Sequence, residues 1–248
     1  MICRMASMDP FRDEARNRGV PEEEVERWLG TVRPCATLDS TDDHADGPPA
    51  GRVGGPPPLP DGVPAPTKPF LAVVDLAAVP ADATDLPLPP DGTLLFFADT
   101  EDPGPGEDWF QVVYVPAGTP VSTTDSGAGE SYPVADLRLK VEPSLPNRVS
   151  STEEFPHGFE LGSVWWKTCS RIQDGGIVEL GGYPWVWNWD PVADHDHDPD
   201  DDWVLLASIN GKRLSEGDDL GLINWVVPRA DLAARRFDRV EAYYDQAG

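Results

Sequence analysis

Short apolar runs between turn residues predict an α+β fold, mainly antiparallel β-sheet, with a short helical lead at the N-terminus. Three observations carry that prediction. Leu94 to Ala98 is an unbroken apolar run behind a Pro-Pro-Asp-Gly turn signal and ahead of Asp99, the mark of a strand buried on both faces. Runs of the same kind recur at Phe70–Leu76, Phe110–Val115, Trp203–Ile209 and Leu220–Val227. Finally, Pro 28 and Gly 23 together make up about a fifth of the 248 residues. That excess suits turns and short strands, because proline lacks the donor that a helix interior needs.

In chain order, Asp9-Pro10 reads as a helix start and Gly19 as its terminating glycine. Pro21 opens a second helix, with Glu22–Glu24 at the positive end of its dipole and Gly30 at its close. Val32–Leu38 reads as a strand. Residues 39–58 are polar, rich in Pro and Gly and without periodicity. The chain therefore divides into a lead over 1–38, a flexible acidic linker over 39–53 and an α+β domain over 54–248. Gly54-Gly55 is followed by three prolines, which cannot offer the row of N–H groups a phosphate requires, so the segment reads as an extended strap. Val134–Val141 alternates like a strand. Phe159–Ser170, with Trp165-Trp166, fits either a helix or a strand, and so does Phe237–Tyr244. The two halves echo each other: FLAVVDL and then DGTLLFFAD, against WVLLASI and then DLGLINWVV. An internal duplication of β-units is the expectation.

The net charge of −25 and the pI of about 4.2 disfavour nucleic acid and anionic membrane surfaces, and leave open a basic protein, a cation or no specific partner at all. Cys3, Cys35 and Cys169 are odd in number and widely spaced, which fits reduced thiols in a cytoplasm. No apolar run approaches membrane-spanning length.

Three groups of residues invite a chemical reading. Asp194-His195-Asp196-His197-Asp198 could present His195 and His197 to a transition metal, with Asp196 and Asp198 beside them. As a calcium loop it fails, since Pro199 and Leu205 stand where glycine and glutamate belong. A solvated acidic loop and no cofactor is the expectation. Trp185, Trp187 and Trp189 alternate, and on a strand would line one face as core packing or as a platform for a sugar or peptide. Asp200-Asp201-Asp202 and Asp218-Asp219 are candidate contacts for a basic partner. No G-x-S-x-G nucleophile motif is present.

Several motifs carry a family resemblance: GGPPPLP (Gly54–Pro60), FLAVVDL (Phe70–Leu76), LPPDGTLLFF (Leu88–Phe97), GGYP (Gly181–Pro184), WVLLASI (Trp203–Ile209), and GDDLG with INWVV (Gly217–Val227). Their order and spacing resemble the YwqG-like family, a bacterial DUF1963-type group of unknown function. The resemblance implies an α+β fold dominated by antiparallel sheet, and no reaction. Ala207, Asn210 and Glu216 depart from the family's polar and aromatic pattern, so a family site formed there would be altered.

Two functions follow as expectations. The first is a non-enzymatic cytoplasmic binding protein whose acidic face engages a basic protein, as an immunity-type inhibitor does its toxin. The second is an enzyme, or a sugar- or metal-binding protein, that uses the tryptophan ladder and the acidic His loop. A cleft holding the tryptophans with converging carboxylates favours the second; a broad negative face without a cleft favours the first.

Overall fold

The computed structural model describes residues 7–40, 47–99, 109–123, 132–193, 200–214 and 221–246. Two helices lead, α1 (Asp9–Asn17) and α2 (Glu22–Leu29), followed by β1 (Arg33–Asp39). Then come β2 (Pro49–Val53), β3 (Pro58–Pro60), β4 (Phe70–Asp75), β5 (Thr93–Ala98), β6 (Phe110–Val115), β7 (Val121–Thr123) and β8 (Ala135–Ser144). The second half comprises α3 (Gly158–Thr168), β9 (Val178–Leu180), β10 (Trp203–Asn210), α4 (Gly211–Leu214), β11 (Leu222–Pro228), α5 (Arg229–Ala233) and β12 (Glu241–Asp245). The fold is thus mostly antiparallel sheet with a few helices. None of the described helices is long and apolar enough to cross a membrane.

Ten strands form one antiparallel sheet in the order β12-β11-β10-β9-β1-β8-β2-β4-β5-β6, and β3 pairs with β7 separately. The sheet curls nearly into a barrel. Phe96 of β5 and Trp225 of β11 lie with ring centroids 5.2 Å apart. In a flat sheet those strands, seven steps apart in the order, would be separated by roughly 33 Å. Near the open edge Tyr114 of β6 stacks on Phe237 at 5.4 Å. Bulges bend the strands, one in the β4–β5 pair at Phe70/Ala72 and one in the β10–β11 pair at Leu205/Ala207.

Four of the five apolar runs, in β4, β5, β10 and β11, are buried on both faces, while β6 at the sheet edge is only partly covered. From β5, Leu94 and Phe96 enter the central core, while Leu95 and Phe97 pack outward with Leu59 of β3. Outside the other half, α1, α2 and α3 make a second core around Phe11, Trp28, Leu161 and Trp165.

One expectation changes, and others left open are decided. Residues 49–53, expected as linker, form β2, which pairs with both β4 and β8. The N-terminal lead supplies β1, hydrogen-bonded between β8 and β9 in the middle of the sheet. Trp165-Trp166 is helical, and the C-terminal stretch ends as strand β12. Both echoing strand pairs, β4–β5 and β10–β11, are adjacent and antiparallel.

Candidate functional site

The site begins with one row of the ladder. Lys140 of β8 faces Thr37 of β1, Thr37 faces Glu179 of β9, Glu179 faces Ser208 of β10, and Ser208 faces Asn224 of β11. Residues aligned across an antiparallel ladder share a face. Their chain neighbours Ala36, Leu38, Val178, Leu180, Ile209, Ile223 and Trp225 point into the central core, so the polar row lies on the outside of the barrel.

That outer face is roofed by two irregular segments. One runs over 173–176. The Glu142 carboxylate accepts its Asp174 and Gly175 N–H groups at 2.9 and 3.1 Å. Arg213 of α4 donates to the Asp174 carbonyl at 2.7 Å and to the buried Asp39 carboxylate at 2.9 Å. Lys140 pairs with the Asp174 side chain. The other segment is 181–190, launched by Gly181 and Gly182, whose φ of 72° and 73° suit glycine alone. Side chains hold it in place of a ladder. Asn147 brackets Val186, accepting from its N–H at 3.1 Å and donating to its carbonyl at 2.7 Å. Asp245 of β12 accepts from Trp187 N–H at 2.6 Å and from the Asn188 side chain at 2.7 Å.

Between roof and sheet lies a cavity of 220 Å³ with Glu179, Ser208, Asn210, Arg213, Trp185 and Trp187 in its lining. Glu179 accepts a hydrogen bond from Gly176 N–H at 3.2 Å. Its ionisation is pushed up to about 7, by burial first and by the Glu142 carboxylate second; the Gly176 N–H and Arg213 oppose the shift but are outweighed. Cys169, at the rim, is a free thiol whose ionisation burial also pushes up. Asn224 is 1% exposed and donates to the Trp185 carbonyl at 3.4 Å, while its Oδ1 has no hydrogen-bond partner among the described residues. The arrangement offers acceptors and two indole walls, with Glu179 poised to hold or release a proton near neutrality.

The sequence-predicted residues scatter around this centre. The segment 181–190 is not a strand, so the tryptophans share no single face. Trp185 stacks on Trp166 at 4.9 Å and lines the cavity. Trp187 also lines it, with Lys212 Nζ 6.0 Å from its ring centroid. Trp189 turns away to meet Tyr243 edge-on at 4.9 Å. Asp201 and Asp202 are ion-paired with Arg239 at 2.9 Å and Arg229 at 2.7 Å, while Asp200 is exposed. Asp194, His195, Asp196, His197 and Asp198, with Asp218 and Asp219, lie outside the described residues. Among the described residues no group of three or more His, Cys, Asp or Glu is placed to hold a metal ion. Sequence reasoning missed Glu179, Glu142, Arg213 and Asn224. A signal for Glu179 was present, since it is the lone charge in Ile177–Leu180, an apolar stretch bracketed by Gly-Gly pairs.

No curated protein matches the chain. One family profile does, described as "Domain of unknown function (DUF1963)", and it matches residues 51–245. That span includes every cavity-lining residue, from Cys169 to Leu222, though not β1. With most of its length matched, the chain belongs to the DUF1963 family.

Proposed function

We propose that the protein binds a small polar molecule in the cavity between Trp185, Trp187 and Glu179. One observation carries the reading: a half-buried carboxyl, with ionisation near 7, at the base of a cavity walled by two indoles. Binding sites typically combine an apolar wall with a few polar groups, and the roof segments here are fastened by buried side chains that hold such a shape. From the second sequence-based expectation this keeps a ligand site at the tryptophans, narrowed from the Trp185–Trp189 ladder to two of its members, and leaves out the acidic His loop. The test is a two-dimensional NMR screen with organic cations, neutral polyols and organic anions. At least one class should shift the Trp185 and Trp187 indole signals together with the Gly175 and Gly176 amides. If no class moves them, and a cavity-filling Ser208→Phe variant gives the same spectra with every compound, the reading falls.

A basic protein partner, in the immunity-type sense, stands as the second reading, supported by the net charge of −25. Asp201 and Asp202 would have to exchange arginines within the chain for those of a partner, which weakens their case as the contact. The free thiols Cys35 and Cys169 support a reducing, cytoplasmic setting, and the sequence motifs support the YwqG-like branch of the family. The duplication of β-units belongs here as well. Outward from the central pair, one side of the sheet reads β8-β2-β4-β5-β6 and the other β1-β9-β10-β11-β12, which supports it. Failure of the β4–β5 and β10–β11 hairpins to superpose would remove that support.

A further inference from the structure

We propose, resting on the pocket reading above, that the ligand is a small organic cation, an amine or guanidinium, with its positive group set against Glu179. Charge and hydrogen-bonding capacity both point there. The basic groups near the cavity are already engaged: Arg213 with Asp39 and the Asp174 carbonyl, Lys140 with the Asp174 side chain, and Lys212 over the Trp187 ring at 6.0 Å. Among the described residues neither Glu179 nor the buried Glu142 has an ion-pair partner; Arg213 acts on Glu179 only through its charge, and Glu142 is satisfied by two backbone N–H groups. The Gly176 N–H donates to Oε1 of Glu179, and among the described residues no hydrogen bond reaches Oε2. Ser208 and Asn210 add neutral polar groups to the lining. Behind Ser208, Asn224 lies buried outside the lining and donates to the Trp185 carbonyl, which fixes that wall. An ionised carboxyl accepts hydrogen bonds and donates none, so Glu179 calls for a donor-rich guest. Indole faces add to this preference, since they attract cations through the ring quadrupole.

Glu179 is faced by Glu142 and Lys140 from β8, by Asp39 and Cys35 from β1, and by Arg213 from α4. Asp174 on the roof and the Cys169 thiol complete its ionisable surroundings. A cation that seats against the carboxylate displaces the proton Glu179 holds near neutrality, and that proton passes to the buffer. Affinity therefore rises with pH through the neutral range.

The test is calorimetric titration of the full chain with agmatine and putrescine as cations, glucose as a neutral probe and citrate as an anion, at about physiological ionic strength to screen the exposed acids. The cations should bind about tenfold more tightly at about pH 8 than at about pH 6, because only ionised Glu179 receives them. At about pH 6 the binding heat should vary with the ionisation enthalpy of the buffer, the sign of proton release. Glu179→Gln should abolish both the pH dependence and the buffer dependence, and weaken binding at about pH 8. Should that variant fail to fold, the wild-type pH and buffer profiles decide alone. Glucose or citrate binding in the absence of cation binding overturns the cation and leaves the pocket standing. Cation binding that is indifferent to pH overturns the role of Glu179. Silence from all four probes overturns the pocket as well.

Discussion

Glu179 shows how one residue reports its surroundings. A carboxyl normally ionises near 4.5, and burial beside Glu142 pushes this one up to about 7. Between those values the folded state holds a proton that the unfolded chain has already released. Stability contributed at Glu179 therefore falls as pH rises from about 4.5, and the loss is complete above about 7. Glu179→Gln keeps the shape and stays neutral. Its stability relative to wild type should improve by up to about 3 kcal/mol between about pH 4 and about pH 8. Denaturant melts of both proteins across that range would show it. A difference that stays flat with pH would mean the carboxyl is not desolvated in the folded chain.

At the scale of elements, β1 is the keystone of the sheet although the family match begins after it. Its Ala36 and Leu38 are fully buried, and its two edges pair with β8 and β9. Without it, each half of the sheet ends in an unpaired strand beside an opened core. A fragment spanning 51–245 should therefore lack a cooperative thermal transition, while a fragment spanning 7–246 should retain it. A sharp transition in the shorter piece would show that the halves close without β1.

The same elements explain what could be read from sequence alone. The strands β4, β5, β6, β10 and β11 were legible because most of them are buried on both faces, which leaves a continuous apolar run with nothing to confuse it. PAGRV in β2 carries a proline and a glycine and shows no such run, so only its partners reveal it. The alternating tryptophans misled for a related reason. Period-two spacing implies one face only when a ladder holds the backbone straight. Residues 181–190 are instead fastened by Asn147 and Asp245, both distant in sequence. The site itself was hidden because only strand register brings Glu142, Glu179 and Asn224 to one face, with Arg213 added from α4.

For the molecule as a whole, the question is where a cation goes on a chain with net charge −25. Much of the basic complement already neutralises acids: Arg239 and Arg236 flank the buried Asp231, Arg239 also reaches Asp201, Arg229 holds Asp202, and Arg213 holds Asp39. The remaining exposed carboxylates attract any cation diffusely, and salt weakens that attraction over a Debye length of about 8 Å. A cation in the cavity instead meets Glu179 between the two indoles. Intermolecular NOE spectroscopy with agmatine at about pH 8 and physiological salt separates the two. Contacts between the ligand methylenes and the Trp185 and Trp187 indoles, lost in Ser208→Phe, are the predicted result; contacts spread over Asp200, Asp201 and Asp202, with none at the indoles, would contradict it.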